Sequence, residues 1–344
     1  MKANHENTKY IDLKNQRRKL SEVIPLKMPF TLFVDPTNWC NFKCSFCPRN
    51  FDDFSTYAGE FQHMDMILFE KIMKDLKKCD GRLKVLRLFY LGEPFLCPDF
   101  LRMLQMAIEY DIAERIEISS NASLLNLKIA QTILDLAKIY SGIIYLRFSI
   151  YSVIPEKNKE ITKSPITVEN ICENVSTLKQ LRDTQKVTNV ITYAKMLNSF
   201  DNENEMFIDL YKNIVDEVEI EQPMNWSGYD NRNLLNTYNE EQIASIRKEN
   251  LPKVCAYPFH TLAIQSDGDV VCCCVDWSRK TCVGNVKDES LLQIWHGERL
   301  KKLRVLHLEG KRFLNDACKN CQKLPSGKSY RLDNLDDVLP EVLD

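Results

Sequence analysis

Three cysteines sit close together in the run Cys40-Asn41-Phe42-Lys43-Cys44-Ser45-Phe46-Cys47, spaced CxxxCxxC. That spacing is too tight for a disulfide framework and suits a loop wrapped around a metal cluster. Thiolates are soft ligands that favour iron–sulfur clusters. A [4Fe–4S] cluster held entirely by protein takes four cysteines, so a loop of three leaves one iron open to a non-protein ligand. The alternatives are a zinc site, which pairs a CxxC with a second CxxC or an HxxxH, or scattered buried thiols. A second group of cysteines comes late: Cys255, then Gly268, then Cys273 flanked by Cys272 and Cys274, and finally Cys318-Lys319-Asn320-Cys321. The histidines, His5, His63, His260, His296 and His307, are not paired at metal-ligand spacing and read as surface or packing residues.

Composition narrows the context. A chain of 344 residues makes one large domain or two ordinary ones. With 44% hydrophobic and 27% charged residues it is ordinary for a globular protein. The formal net charge of −2 argues against a nucleic-acid partner. Residues 1–20 are polar and lysine-rich, without the apolar segment of a signal peptide. No apolar run approaches the ~18 residues of a membrane span. A cytoplasmic protein without a membrane partner is expected, where clustered thiols bind metal rather than pair. An odd count of 13 cysteines also argues against a pure disulfide framework.

A rigid frame must hold such a loop. Residues 31–35 read as a strand that runs into it. Apolar side chains at Met64, Ile67, Leu68, Ile72, Met73 and Leu76 give helical spacing over 64–78. Strands are expected at 85–91, 116–120, 143–150, 187–194 and 218–221. Between them fall helices capped by Asp99 (to residue 110), Asn126 (127–140) and Thr167, and one at 202–215. Six strands alternating with five helices imply βαβ units and a parallel sheet, closed as a barrel or open and doubly wound. No G-x-G-x-x-G follows a strand, so no Rossmann site is expected. Beyond a linker composition at 223–254, which includes Trp226 to Asp230, the Asp267-Gly268 turn joins 262–264 to 270–274 as a hairpin. Residues 289–306 read as one helix.

With Phe46 directly before the third cysteine, the run resembles the CxxxCxΦC signature of the radical S-adenosylmethionine (SAM) superfamily. The resemblance implies an α/β fold, a partial (β/α)6 TIM-like barrel, with chemistry at the carboxyl ends of the strands. It implies that the amino and carboxylate groups of SAM fill the open iron held by Cys40, Cys44 and Cys47. Leu91-Gly92-Glu93-Pro94 resembles the superfamily's Gly-Gly-Glu-Pro motif, with Leu91 replacing the first glycine. Its glutamate and backbone would hold the SAM amino group. Ser119-Ser120-Asn121-Ala122 falls where members carry ribose contacts. Arg147 and Ser149 share a strand face, which suits a SAM carboxylate; a salt-bridged arginine is the other reading. The implied SAM contacts are thus Phe46, Gly92, Glu93, Ser119, Asn121, Arg147 and Ser149.

The late cysteines resemble the SPASM/Twitch extension of such barrels, a small α+β iron–sulfur domain. CX12GX4C and CX2C are present, but the next two cysteine positions of the SPASM pattern fall on Gly327 and Arg331. That leaves ligands for one auxiliary [4Fe–4S] cluster, Cys255, Cys273, Cys318 and Cys321, the shorter Twitch arrangement. The glycine spacing selects Cys273 over Cys272 and Cys274. A cluster with four protein thiolates has no open iron and suits electron transfer. Among the other thiols, Cys79, Cys172 and Cys282 read as packing residues, whereas Cys97, just past Gly-Glu-Pro, is a candidate hydrogen-atom donor. The implied organisation is a lead-in at 1–28, a radical SAM core at 29–222, the linker 223–254, the auxiliary domain 255–325 and a tail at 326–344.

The resemblance implies an oxygen-sensitive oxidoreductase that cleaves SAM to a 5′-deoxyadenosyl radical. That radical would abstract hydrogen from a small polar substrate, a sugar or aminocyclitol alcohol, and the auxiliary cluster would help oxidise it. With the first strand expected to start at residue 31, no leader-peptide domain is expected before it. A low-potential donor such as flavodoxin or ferredoxin would supply electrons. A peptide or protein maturase is the alternative. A non-catalytic iron–sulfur electron carrier is a third, which the strand-end motifs disfavour because a carrier needs no SAM pocket. Two [4Fe–4S] clusters mean about eight irons and eight sulfides after anaerobic reconstitution. Replacing Cys40, Cys44 and Cys47 together with alanine should halve that content and abolish SAM cleavage; a parent with four or twelve irons would contradict the ligand count.

Overall fold

The computed structural model describes residues 19–224, 238–246, 252–319, 321, 323, 330 and 332. The strands are β1 (Thr31–Val34), β2 (Val85–Arg87), β3 (Arg115–Ser120), β4 (Ile143–Ile150), β5 (Val190–Leu197), β6 (Glu217–Glu221), β7 (Thr261–Ile264), β8 (Asp269–Val271) and β9 (Cys282–Asn285). The helices are α1 (Phe54–Ala58), α2 (Met66–Lys77), α3 (Phe100–Glu109), α4 (Leu127–Ile139), α5 (Pro155–Thr162), α6 (Val168–Thr184), α7 (Glu203–Tyr211), α8 (Glu240–Ile246), α9 (Tyr257–His260), α10 (Leu291–Trp295) and α11 (Glu298–Leu308).

One sheet holds all nine strands in the order β6-β5-β4-β3-β2-β1-β7-β8-β9. Strands β1 to β6 pair in parallel, each with its predecessor in the chain. Because that order never reverses, every crossover runs the same way. Right-handed crossovers then put all their helices on one face and curl the sheet into a barrel wall, not a doubly wound layer. Leu32, Val34, Leu86, Ile116, Ile118, Ile144, Leu146 and Phe148 fill the helix-facing side and form one core with Phe69 and Ile72 of α2, Leu104 of α3, Ile133 of α4 and Leu178 of α6. Each such fully buried side chain contributes ~1.5–3 kcal/mol. The opposite face carries Phe33, Arg87, Glu117, Tyr145, Arg147 and Tyr193, aligned across neighbouring strands. A polar inner wall is what a site, and not a packed core, requires.

The hairpin of the C-terminal cysteine module continues this sheet. β7 pairs in parallel with β1, Thr31 opposite Thr261 and Val34 opposite Ile264, and β8 and β9 follow antiparallel. Gly268 takes φ +96° in the turn, as the Asp-Gly signal requires.

Helix starts follow local chemistry. The side chains of Asp65, Asn126 and Thr167 accept from the backbone N–H of Ile67, Ile129 and Asn170. Asp99 occupies the cap position of α3 without a side-chain capping bond. The second strand is shorter than expected, ending at Arg87, because the chain turns toward Gly92. The fifth is displaced to Val190–Leu197. The expected helix at 289–306 is two helices, broken before Gly297, the N-cap of α11. Polar α5 and glycine-containing β9 gave no periodic signal. Trp226 to Asp230, Gly327 and Arg331 lie outside the described residues. Among the described residues no helix is long and apolar enough to cross a membrane.

Leu262 of β7 is fully buried in the shared core. Leu262→Ala should cost ~2–5 kcal/mol. Because β7 is part of the barrel sheet, urea unfolding should remain a single transition at a lower midpoint; two separated transitions would contradict the continuity.

Candidate active site

The cysteine loop leaves the carboxyl end of β1 and is fixed from three sides. Met64 N–H donates to Pro36 O at 2.9 Å and Asn38 Nδ2 to Glu60 O at 2.9 Å. Lys43 and Ser45 N–H donate to Thr162 O (2.8 Å) and Ile161 O (3.0 Å) at the end of α5. Inside the loop Asn50 Nδ2 donates to Cys44 O at 3.0 Å, and Arg49 donates to the Phe42 carbonyl. Half-buried Tyr151 stands 5.9 Å from the Phe42 ring and 5.8 Å from the Phe46 ring, under the thiols.

Cys44 is buried, and Cys40 and Cys47 are half-buried. Burial pushes the Cys40 thiol up to about 12, with Glu93 and Cys47 adding repulsion. Cys44 is pushed higher, by burial and then by Cys47 and Cys40. Such mutually repelling thiols ionise only against a bound cationic group, and metal coordination deprotonates a thiol outright. Among the described residues no group of three or more His, Cys, Asp or Glu side chains is placed to hold a single metal ion. Three thiol donors in one loop fit an iron–sulfur cluster with one iron left open.

Gly92-Glu93 runs directly beneath this loop. A Cβ on Gly92 would lie 2.1 Å from Thr37 O and 2.4 Å from Trp39 O, so only glycine permits the approach. Glu93 N–H donates to Trp39 O at 2.8 Å. The buried Glu93 carboxylate accepts from Ser120 Oγ (2.7 Å), Asn121 N (2.8 Å) and Phe95 N (3.2 Å). Burial still pushes that carboxyl up to about 7, against those hydrogen bonds. Asn121 Nδ2 donates to Asn41 Oδ1 at 3.0 Å and lies 4.0 Å from Cys40 Sγ; Ser123 Oγ donates to Asn121 Oδ1 at 2.6 Å. Gly92, Glu93, Asn121, Phe46 and the three cysteines are thus brought together at the carboxyl ends of β1 to β3.

Ser119 faces the inner wall beside Arg147, while Ser120 makes the Glu93 contact. Arg147 is engaged in ion pairs, 3.7 Å from Glu117 Oε2 and 3.6 Å from Glu221 Oε1, over the rings of Phe89 and Tyr193. Burial pushes Glu117 up, but Arg87, Arg115 and Arg147 outweigh it and hold the carboxyl at about 2. Ser149 lies one pair further along, opposite Lys195. Lys195 Nζ bonds Glu221 Oε2 at 2.8 Å and Tyr193 OH donates to Glu219 Oε2 at 2.8 Å. Cys97 is buried in the core cluster that also holds Phe100, Phe42 and Cys44.

A second cavity is lined by Cys255, Cys272, Cys273, Cys318 and Cys321, together with His307 and Arg312. β8 ends at Val271, so Cys272 to Cys274 lie in a turn and the alternation of a strand does not sort them. Thr281 and Asp276 shape that turn: Cys272 N–H donates to Thr281 Oγ1 at 3.3 Å, and Thr281 Oγ1 to Asp276 Oδ2 at 2.7 Å. Cys272 as well as Cys273 reaches the cavity, whereas Cys274 packs among Phe33, Tyr90 and Trp277. Tyr90 OH donates to Asp276 O at 2.9 Å and so ties the second module to the barrel. Five converging thiols fit an iron–sulfur group here too. Lys323 stands near enough for its charge to act on Cys274, Lys195 and Glu221.

Sequence reasoning missed Tyr151, Arg49, Asn50, Asn41 and Ser123. Tyr151 was within reach, since it continues the period-two face of Arg147 and Ser149. Arg49 and Asn50 directly follow Cys47-Pro48, but nothing local marks them as braces of the loop.

Residues 34–210 match the radical SAM superfamily model, and residues 255–322 match SPASM, an iron-sulfur cluster-binding domain. An S-adenosyl-L-methionine-dependent 2-deoxy-scyllo-inosamine dehydrogenase from Niallia circulans is 23% identical over 291 residues, covering 85% of this chain and 92% of the relative. BtrN, solved in complex with AdoMet and 2-DOIA, is similar in fold with TM-score 0.55 and 19% identity, covering 86% of this chain and 94% of that one. SuiB of Streptococcus suis, solved with the precursor peptide SuiA, gives TM-score 0.62 at 14% identity, covering 96% and 82%. With the barrel, the cysteine loop over Gly92-Glu93 and the second thiol cavity in place, the chain belongs to the radical SAM superfamily and carries a C-terminal SPASM iron–sulfur domain.

Proposed function

We propose that this enzyme is a SAM-dependent dehydrogenase acting on a small polyhydroxylated substrate of the sugar or aminocyclitol class. The observation that carries the reading is the polar inner wall. Arg147, Tyr193, Lys195 and Glu221 converge on the barrel face that adjoins the cysteine loop. Charged and hydroxyl groups so placed suit a ligand rich in hydroxyls and amines. The dehydrogenase relative, matched over 85% of this chain and 92% of its own length, supports the same class. The SuiB likeness is one of fold and carries no peptide substrate to this chain.

In this reading Cys40, Cys44 and Cys47 hold a [4Fe–4S] cluster, and four thiols from Cys255, Cys272, Cys273, Cys318 and Cys321 hold a second. When bound, SAM and the clusters supply a hydrogen-abstracting radical and an acceptor for the second electron of an alcohol-to-ketone oxidation. Glu93 would accept from an N–H of the SAM amino group, with its carboxylate aligned by Ser120 and Asn121. Gly92 keeps that carboxylate against the loop. Phe46 and Tyr151 close the apolar side and exclude water. Arg147, Tyr193, Lys195 and Glu221 orient the substrate. A low-potential flavodoxin or ferredoxin supplies the initiating electron.

Two expectations follow from the geometry. Glu93 is protonated below about pH 7 in the free protein, and it accepts fully from the SAM amine only as the carboxylate. The SAM amine must also be unprotonated to reach the iron, so SAM affinity, measured by calorimetry from pH 5.5 to 8, should fall as pH drops through that range and about tenfold per unit more steeply below pH 7, where Glu93 takes up its proton. Glu93→Gln should bind weakly and lose the added steepness below pH 7; an unchanged profile would exclude Glu93 as the acceptor. Second, Cys318→Ala/Cys321→Ala should still form 5′-deoxyadenosine from SAM but yield no ketone from a polyol substrate. A folded double variant, judged by circular dichroism and protease resistance, that makes ketone at the parent rate would refute the electron-accepting role. Loss of fold together with both activities would mean that the second cluster serves as a structural staple.

A further inference from the structure

His307 lies in the last turn of α11 and is 1% exposed. Neither of its ring nitrogens has a hydrogen-bond partner among the described residues. An imidazole always carries at least one N–H donor, and burying it unpaired is unfavourable. The ring lines the same cavity as Cys255, Cys272, Cys273, Cys318 and Cys321. The other buried histidine, His260, differs: its Nδ1 pairs with Thr261 Oγ1 at 2.7 Å and its ring packs against Tyr257 and Tyr330. The other polar groups of the cavity have partners, Tyr257 among them, bonded to Cys274. Arg312 donates to the Cys318 carbonyl, and Asp276 accepts from Thr281 and Ser278. His307 is therefore a donor aimed at a space framed by thiols.

We propose that His307 donates an N–H···S hydrogen bond to the auxiliary iron–sulfur cluster and sets its reduction potential. The inference rests on the reading that the late cysteines hold such a cluster. With five thiols available for four irons, the ring is not needed as a ligand. Its place is outside the ligand set, where hydrogen bonds to the sulfurs stabilise the more negative, reduced state and raise the potential. The electron acceptor of the proposed dehydrogenation is thereby made a better oxidant.

The test uses the full chain with Cys40, Cys44 and Cys47 replaced by alanine, so that only the auxiliary site is loaded. It compares this parent with added His307→Leu, which removes the donor, and His307→Gln, which keeps an N–H. Iron should stay near four per chain in all three. In an EPR-monitored redox titration, His307→Leu should shift the reduction equilibrium toward the oxidised form by about tenfold, ~59 mV for a one-electron couple. His307→Gln should stay near the parent. Hyperfine spectroscopy of the reduced parent grown with 15N-histidine should show a weak nitrogen coupling that His307→Leu abolishes. An unchanged midpoint in His307→Leu with four irons retained, or no histidine coupling in the parent, would overturn the proposal. So would a strong coupling of a directly bound nitrogen with iron loss in both variants, which would make His307 a ligand. A parent with no iron would instead overturn the auxiliary cluster itself.

Discussion

The site depends on one close passage of backbone: Gly92-Glu93 under Thr37 and Trp39. The cysteine loop and the glutamate turn belong to different strands, and the Glu93 N–H to Trp39 O bond at 2.8 Å joins them. No side chain fits between them, because a Gly92 Cβ would fall within 2.4 Å of two carbonyl oxygens. Asp35 reinforces the passage from below, accepting from Leu91 N–H at 3.3 Å. Its other carboxylate oxygen is buried without a partner among the described residues, and burial raises its pKa well above the ordinary carboxylate value. A costly buried carboxyl is retained where it aligns the two loops that meet at the site.

A second dependence is the pairing of β7 with β1. It makes the auxiliary module a continuation of the barrel wall, so the two thiol groups are positioned by one sheet and not by a linker. Tyr90 extends that coupling. It sits just after β2, and its hydroxyl reaches the turn that runs from Cys272 to Asp276. In the proposed dehydrogenation, electron exchange between a substrate in the barrel and a cluster in the module would require a fixed separation, which a shared sheet supplies. The inner wall between them is built of compensated charge: Glu117 with three arginines, and Glu221 with Lys195 and Arg147.

Much of this was legible in the sequence, because periodicity and cap chemistry are local. The fourth strand and the helices capped by Asn126 and Thr167 fall where alternation and capping residues put them. The cysteine spacing and Gly-Glu-Pro announced the chemistry before any fold was known. What was hidden depends on distant partners. The strand face of Arg147 was readable, but its pairing with Glu117 and Glu221 arises only when β3, β4 and β6 come together. Cys272 and Cys273 could not be separated by strand parity because the strand stops at Val271. His307 carries no local signal, since α11 is amphipathic only weakly and the cavity beside it is assembled from residues 255 to 321.

On the proposed reading, the cysteine loop presents an open iron to SAM beside Glu93. Electron–nuclear double resonance on the reduced, full-length protein with SAM labelled by 15N in its amino group and 17O in its carboxylate tests it most directly. Both labels should couple to the cluster as directly bound atoms, and both couplings should vanish when Cys40, Cys44 and Cys47 are replaced by alanine. A reduced cluster with SAM bound and neither coupling present would contradict the claim.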